Sequence, residues 1–182
     1  AIHMVLRRFP PLLRALERRI RMIVAKADIN DLESIIELVD SQKAYLRNNG
    51  IPQWQNGYPD EHTFKEDIEL NRLYVLKDED KVTGIFALIY PDECYDYIEN
   101  GKWLSDEPYI AVHRLCIADE YKPQGLATFI FSYLKNIYSH IKVDTHELNT
   151  AMNSCLIKNG FIRTGIVYMK DKTPRNAYEW LR

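Results

Sequence analysis

The run from Tyr109 to Ile137 constrains the fold most, because it joins a strand pattern to a helix pattern through one short turn. Apolar and β-branched residues fill Tyr109–Ala118, and a polar stretch that contains Gly125 follows. The apolar residues then recur at the spacing of one buried helix face: Leu126, Ile130, Leu134 and Ile137. Backbone N–H groups and the helix dipole converge at such a turn. The run therefore predicts an anion-binding turn.

The composition of this turn excludes two common phosphate-binding motifs. A dinucleotide fingerprint needs three spaced glycines, and the phosphate loop of nucleoside triphosphatases ends in Gly-Lys-Ser/Thr. The turn from Lys122 to Ala127 reads KPQGLA and contains neither motif. It is either an anion site of another kind or an ordinary helix N-terminus without a ligand.

The same six residues resemble motif A of the GNAT superfamily of N-acetyltransferases, Arg/Gln-x-x-Gly-x-Gly/Ala, which holds the diphosphate of acetyl-coenzyme A. Lys122 stands where the family has Arg or Gln, and it keeps a positive charge without the planar fork of arginine. Pro123 has no N–H to donate, although proline suits the first turn of a helix. The resemblance implies that the diphosphate is bound by the Lys122 ammonium and by four backbone amides, those of Gln124, Gly125, Leu126 and Ala127.

A second block, Lys142–Phe161, resembles the second half of the GNAT core, with a strand, a loop, a helix and a Gly-Phe pair that opens the next strand. Asn149 matches the family asparagine that contacts coenzyme A near its pantetheine arm. Many members carry a tyrosine four residues before the glycine, and this tyrosine protonates the departing thiolate. Here that position is Leu156, so the usual general acid is missing.

The rest of the chain supplies strands and helices in the order that this family requires. Helix patterns cover Asp31–Leu46, Asp60–Asn71 and residues 150–159, with Asn30 or Asp28 as the first N-cap. Further strand patterns cover Met22–Ala27, Leu73–Lys77, Val82–Tyr90, Ile141–Thr145, Phe161–Lys170 and Asn176–Leu181. We expect an α/β (α+β) GNAT-like domain over residues 22–182, with a mixed, mainly antiparallel sheet of six to seven strands and helices on both faces.

Residues 1–21 differ in charge from the rest of the chain. They contain six arginines and one glutamate, whereas the remaining residues carry a net charge of −7. The basic segment has an amphipathic pattern and is either an arm for a membrane surface or partner, a targeting leader, or sequence upstream of a start at Met22. We expect an extension without a role in catalysis. The acidic remainder argues against nucleic-acid binding and favours a cationic partner.

The cysteines and the hydropathy pattern predict a cytoplasmic protein. Cys94, Cys116 and Cys155 have neither metal-ligand spacing nor an even count, which is typical of reduced thiols. No apolar run approaches the ~18 residues of a membrane span. We therefore expect no metal and no membrane anchor. The sequence is compatible with either a monomer or a homodimer.

Two loops are candidates for the acceptor side of the site. The first, Ile51–Pro59, is rich in aromatic residues and turn formers, and Trp54 is either a lid on the core or a wall of the acceptor pocket. In the family this segment commonly shapes substrate binding. The second, Pro91–Asp106, is acidic and is either a lip that attracts an amine or an ordinary solvated loop.

The central strand contains an adjacent charged pair, His113 and Arg114. Strict alternation would place Ala111, His113, Leu115 and Ile117 on one face and Val112, Arg114 and Cys116 on the other. Arg114 either forms a structural salt bridge, with Asp144 on the next strand as the expected partner, or contacts the acceptor. His113 is either a core histidine or the general base that deprotonates an amine, directly or through water.

These features predict an acetyl-coenzyme A-dependent N-acetyltransferase whose primary amine acceptor, a small molecule or a peptide, attacks the thioester directly in a ternary complex. The resemblance implies that the central strand separates from its neighbour after Leu115 and that pantetheine pairs with the backbone of Leu115 and Ile117. The Ile117 N–H would stabilise the oxyanion. Along an unbent strand His113 lies about 13 Å from Ile117. His113 would therefore act through water, or it would only shape the pocket floor. The absent tyrosine at position 156 suggests an alternative, a coenzyme A-binding sensor or scaffold without turnover.

Overall fold

The computed structural model describes residues 21–182, so the predictions for the basic segment lie outside it except at Arg21. Seven strands form one sheet: β1 Met22–Lys26, β2 Leu73–Asp78, β3 Lys81–Ile89, β4 Ile110–Ile117, β5 His140–Thr145, β6 Ile162–Tyr168 and β7 Pro174–Leu181. Within the described residues, four α-helices accompany them: α1 Leu32–Asn48, α2 Glu61–Glu69, α3 Leu126–Ile137 and α4 Thr150–Lys158. Within residues 21–182 no helix is both long and apolar enough to cross a membrane.

The sheet is mixed and mainly antiparallel, with strand order β1-β2-β3-β4-β5-β7-β6. Only β4 and β5 run parallel, and they are joined through α3. Helix α3 buries Leu126, Ile130 and Leu134 on one face of the sheet, and Leu156 of α4 packs into the same cluster. Helices α1 and α2 contribute to a cluster on the opposite face. The predicted fold class is confirmed.

Local capping explains where the first helix begins. The Asp28 carboxylate accepts a hydrogen bond from the Asn30 backbone N–H, and the Asp31 carboxylate accepts one from the Asp28 N–H. This reciprocal arrangement starts a 3₁₀ turn at Ile29–Asp31 that leads into α1. Asp28 therefore caps this 3₁₀ turn, whereas the residue at the N-cap of α1 itself is Asp31, which makes no side-chain cap bond.

Strand β4 contains a one-residue bulge that overturns the predicted alternation of its side chains. Ile85 pairs with Cys116 and Ala87 pairs with His113, so β4 has one more residue than β3 in this interval. The extra residue is accommodated at Arg114, whose φ is 52°.

The bulge reverses the side-chain pattern of β4 because an inserted residue exchanges the two faces. Val112 and Ile117 belong to the cluster on the α3 side, and Leu115 packs against that cluster. His113 and Arg114 both point to the opposite face, where they contact Tyr95 and Asp67 respectively. Two neighbouring residues of one strand thereby reach the same side of the sheet.

Strands β4 and β5 form a fork. Their parallel pairing runs from Ile110 to Val112 on β4 and ends there. The separation therefore begins three residues earlier than the predicted position, after Leu115. The rest of β4 pairs only with β3, which leaves its other edge facing the fork.

The segment of residues 90–109, called the β3–β4 loop below, crosses one face of the sheet to reach β6. Glu99 and Ile166 exchange two backbone hydrogen bonds of 2.8 Å, and the Lys102 N–H donates to the Thr164 carbonyl at 3.0 Å. These bonds cover the outer edge of β6, which would otherwise be an unpaired strand edge. A Cβ atom on Gly101 would lie 1.8 Å from the Thr164 carbonyl oxygen, so the loop can approach this closely only with glycine there.

Replacing Gly101 with alanine should loosen the loop from β6. Overpacking of this kind costs about 1–3 kcal/mol, which lowers Tm of a chain of this size by at least about 2 °C. Thermal unfolding and amide exchange at Ile166 measure the two effects. Lys102→Ala, which trims an exposed neighbouring side chain, is the matched control, and equal behaviour of the two variants would contradict the close-approach argument.

Candidate active site

The bulge at Arg114 is held by a buried ion pair with α2. Arg114 Nε and Nη2 donate to the two carboxylate oxygens of Asp67 at 2.6 and 2.9 Å, and Nη1 donates to the Tyr58 hydroxyl at 2.7 Å. Arg72 adds a bond of 2.6 Å to the same carboxylate, which is fully buried. The prediction that Arg114 pairs with Asp144 is therefore wrong. Strict alternation had placed Arg114 on the same face as Val112, which instead packs on the α3 side.

His113 lies between two carboxylates. Its Nε2 is hydrogen-bonded to Asp92 Oδ2, and its Nδ1 lies 3.6 Å from Asp144 Oδ2. An ionised carboxylate only accepts hydrogen bonds, so the bond to Asp92 places the proton of a neutral imidazole on Nε2. The lone pair of Nδ1 then faces Asp144. The exposed fraction of the side chain is 15% for His113, 11% for Asp92 and 7% for Asp144. A ligand can therefore still reach the His113 ring.

The pKa of Asp92 reflects this contact. Burial alone would raise it, but the hydrogen bond and charge of His113, together with the Cys94 N–H bond, outweigh burial and hold the pKa of Asp92 below its ordinary value. The carboxylate therefore remains ionised beside His113 at neutral pH.

Tyr95 orients the second carboxylate. Its hydroxyl donates to Asp144 Oδ2 at 2.6 Å, and its ring lies 5.5 Å from the His113 ring. Burial, followed by the charge of Asp144, raises the pKa of Tyr95 well above its ordinary value. The phenol thus stays protonated and remains a donor.

A second polar cluster fixes the far part of the β3–β4 loop. Glu179 on β7 accepts hydrogen bonds from the Leu104 N–H at 2.6 Å and from His140 at 2.5 Å. The Lys142 ammonium lies about 4 Å from the ring centroids of Trp103 and Tyr109, at 4.1 and 4.0 Å. These contacts hold the loop that carries Asp92 and Tyr95 over β5 and β7.

The open edge of β4 presents backbone groups to the fork. The Ala118 N–H donates to the Thr83 carbonyl of β3 at 2.8 Å. Because N–H directions alternate along a strand, the Ile117 N–H points away from β3 and into the fork. The same alternation places the Leu115 N–H on the fork edge. Both predicted backbone positions therefore lie where a ligand strand could pair.

Thr145, at the end of β5, adds a polar group on the other side of the fork. The residue is 1% exposed, and its Oγ1 has no hydrogen-bond partner among the described residues. An unsatisfied buried hydroxyl costs free energy unless a ligand or water satisfies it. It lies beyond Val143, the last residue of β5 that pairs with β4.

The predicted anion turn lies at the carboxyl end of β4. Residues Asp119–Gln124 form a 3₁₀ turn that contains Pro123, and α3 begins at Leu126. Gly125 has φ 72°, the left-handed conformation that glycine adopts most readily. The first amides of α3, which include those of Leu126 and Ala127, have no carbonyl one turn earlier in the helix to pair with.

The side chains of the turn are engaged within the protein. The Lys122 ammonium contacts Gln42 Oε1 at 2.9 Å and Asp119 at 2.7 Å, and it lies 4.0 Å from the ring centroid of Tyr45. The Gln124 side chain donates to the Glu120 carbonyl at 3.0 Å. The Gly125 N–H donates to the Lys122 carbonyl at 3.3 Å. The anion-binding capacity of this turn therefore rests mainly on the first backbone amides of α3, those of Leu126 and Ala127.

The remaining predicted site residues surround the fork and its loops. Asn149 is buried and caps α4, with its Oδ1 accepting from the Met152 N–H and its Nδ2 donating to Gln53 at 3.4 Å. Trp54 has φ 63° and packs against the core cluster of α1 and α2, so it is part of the wall beside α2. Leu156 is fully buried in the core.

Sequence reasoning missed Asp67, Asp92 and Tyr95 on the acceptor side, and it named Asp144 only as a partner of Arg114. The acidic character of the β3–β4 loop was the one available signal, and it did not distinguish Asp92 from its solvated neighbours. Among residues 21–182 no group of three metal-ligating side chains occurs, and all three cysteines are free thiols.

Comparison with known proteins identifies the fold. No protein-family model matches the sequence, and no curated protein sequence does. A crystal structure of a GNAT-family acetyltransferase from Streptococcus agalactiae superposes with a TM-score of 0.83 at 29% identity, covering 88% of this chain and 95% of that one. The chain is therefore similar, in fold and in sequence, to GNAT-family acetyltransferases.

More distant structures of the superfamily share the fold. A GNAT-family acetyltransferase from Listeria monocytogenes has a TM-score of 0.65 at 18% identity, with 88% of this chain and 95% of that chain covered. The PaiA N-acetyltransferase of Thermoplasma acidophilum, solved in complex with coenzyme A, has a TM-score of 0.61 at 16% identity, with 88% and 99% covered.

The lowered pKa of Asp92 predicts a pH dependence of stability. Its ionised form stabilises the fold above the ordinary carboxyl pKa of about 3.9, and this contribution is lost as the pH falls through the lower folded-state value. In Asp92→Asn, the free energy of unfolding should therefore decrease less steeply than in wild type as the pH falls from about 5 to about 2. Denaturant unfolding across this range measures the difference. Asp106→Asn, which removes an exposed carboxylate of the same loop, is the control. If the free energy of unfolding of Asp92→Asn fell with pH as steeply as that of wild type, the lowered pKa of Asp92 would be disproved.

Proposed function

We propose that this protein is an acetyl-coenzyme A-dependent N-acetyltransferase that acts on a primary amine. The observation that carries this proposal is the β4–β5 fork, which opens beside the N-terminus of α3 and exposes the Ile117 N–H. The similarity to a solved GNAT-family acetyltransferase supports it.

The residues around the fork fit coenzyme A. Backbone amides at Gln124–Ala127 would hold the diphosphate, since the start of α3 favours anions. Lys122 would add positive charge, although its ammonium already contacts Asp119. Along the fork, the backbone of Leu115 and Ile117 would pair with pantetheine, and the unsatisfied hydroxyl of Thr145 supplies a further hydrogen-bonding group.

Acetyl-coenzyme A would supply the activated acetyl group as a thioester. The Ile117 N–H would donate to the carbonyl oxygen as negative charge develops during attack by the amine. Asn149, held by Gln53 at the start of α4, would contact the pantetheine arm. Because Leu156 is apolar and buried, the departing thiolate would take its proton from water.

His113 is the group that would take the proton of the acceptor amine. Asp92 fixes the Nε2–H tautomer, which leaves Nδ1 as the basic atom. Ala87 and Gly84 lie opposite His113 and Ile117, so the bulge shortens the separation of the two β4 residues to about 10 Å. This distance is shorter than in an unbent strand and can be bridged by the acceptor itself.

The cofactor assignment predicts the effect of a charge at the start of α3. Ala127→Glu should weaken coenzyme A binding at least tenfold, because a carboxylate beside the amides repels the diphosphate. The same carboxylate suits the helix dipole, so the fold should persist. Ser132→Glu adds an equal charge on an exposed position of the same helix and serves as the control. Calorimetry of coenzyme A binding measures both, and equal affinities would refute the site.

The catalytic assignment predicts turnover that depends on His113. Wild-type protein should release free thiol from acetyl-coenzyme A with at least one member of a panel of primary amines. His113→Gln should lower kcat/KM about a hundredfold and remove the ionisation on the acid side of its pH profile. An unchanged profile would reduce His113 to a packing residue. Coenzyme A binding without turnover for any amine would instead favour the sensor or scaffold, the alternative suggested by Leu156.

A further inference from the structure

Asp144 stands at the point where the two parts of the proposed site meet. It directly follows Val143, the last residue of β5 that pairs with β4, and it lies on the same face as His113. The Tyr95 hydroxyl holds one carboxylate oxygen at 2.6 Å, which fixes the side chain. The side chain is 7% exposed, so this carboxylate is largely shielded from bulk water.

Among the described residues, Asp92 and Asp144 form ion pairs with His113 and with no lysine or arginine. With a neutral imidazole, Asp92 and Asp144 give the cluster a charge of −2, and protonation of His113 leaves −1. Arg114, the adjacent cation, is bound to Asp67 and Tyr58. Lys142 lies two residues before Asp144 on β5, but its ammonium is held between Trp103 and Tyr109.

Cys94 shows the same negative environment. Burial, followed by the charges of Asp92 and Asp144, raises the pKa of its thiol to about 11, and the opposing charge of Lys170 does not cancel this effect. A ligand that enters beside His113 therefore gains more if it is cationic than if it is neutral or anionic.

The unsatisfied Thr145 hydroxyl lies on the face of the sheet opposite to Asp144, because side chains alternate along β5 and Val143 packs on the α3 side. It therefore belongs to the cofactor side of the fork and not to the acceptor side.

We propose that Asp144 binds the ammonium group of the acceptor and that the acceptor is a cationic amine without a carboxylate near its reacting nitrogen. This inference rests on the proposed acetyltransferase function. The 3.6 Å separation between His113 Nδ1 and Asp144 Oδ2 allows one ammonium nitrogen to donate to both atoms. Asp144 therefore selects the substrate, and His113 receives the proton.

The proton and the bonds balance in this arrangement. The ammonium loses one N–H bond, and an N–H bond forms at His113 Nδ1. The freed lone pair forms the C–N bond with the acetyl carbon, while the C–S bond breaks and its electrons leave with sulfur. The nitrogen then loses its second proton to water, and the thiolate takes one proton from water to leave as the thiol. The positive charge moves only from the amine to the imidazolium, so the charge between Asp92 and Asp144 is unchanged.

The distances are consistent with one acceptor nitrogen serving both groups. A hydrogen bond from Ile117 to the carbonyl oxygen, the C=O bond, a near-attack contact and a hydrogen bond to Nδ1 together span about 10 Å. The strand rise places the Cα atoms of His113 and Ile117 about 10 Å apart along the bulged strand, a separation of the same order.

Two probes that share the reacting amine test the proposal: butylamine and 4-aminobutanoate, which differs by a carboxylate. Wild-type kcat/KM should be at least tenfold higher for butylamine. Asp144→Asn should raise KM for butylamine at least tenfold while leaving coenzyme A affinity unchanged by calorimetry. Asp144→Glu, which restores the charge, should recover the preference, and Asp106→Asn on the β3–β4 loop should behave as wild type.

A binding measurement keeps this test separate from the proposed function. Butylammonium should shift the His113 ring signals in NMR spectra of the coenzyme A-saturated protein, and Asp144→Asn should abolish the shift. If the shift occurs without turnover, the ammonium site stands and the acetyltransferase proposal fails. An absent shift in wild type, or equal use of both probes, overturns the role of Asp144.

Discussion

The buried pair between Arg114 and Asp67 is the interaction on which the rest of the site depends. A left-handed φ at a residue other than glycine costs about 1–3 kcal/mol and persists only where the surroundings enforce it. Here a bidentate bond to a fully buried carboxylate enforces it. Removing one partner of a buried pair typically costs about 3–5 kcal/mol, which exceeds that strain. Helix α2 thereby fixes the shape of β4.

That shape has two consequences on opposite sides of the strand. The inserted residue places His113 on the face covered by the β3–β4 loop. There it contacts Asp92 of the loop and Asp144 of β5. Beyond the insertion, Leu115 and Ile117 pack towards α3, and the edge of β4 no longer pairs with β5. One irregularity thus creates both the fork that would take the cofactor and the polar cluster that would take the acceptor.

The sequence predicted the elements because their signals are local. The apolar period of α3, the cap at Asp28 and the single glycine before Leu126 each act within a few residues. The bulge could not be predicted in this way, since it is set by a contact between Arg114 and Asp67, 47 residues apart. The same holds for Asp92, which meets His113 only after the β3–β4 loop has crossed the sheet.

The cofactor side and the acceptor side of the site use different chemical groups. This explains why the cofactor side could be predicted from the sequence and the acceptor side could not. The cofactor side depends on backbone amides of Gln124–Ala127 and Ile117, whose directions follow from a strand, a turn and a helix start. The acceptor side depends on side chains brought together by loops. Exchanging Asp92 or Asp144 would alter the charge that the acceptor meets without touching the fork. Acceptor specificity in this chain can therefore change while cofactor binding stays the same.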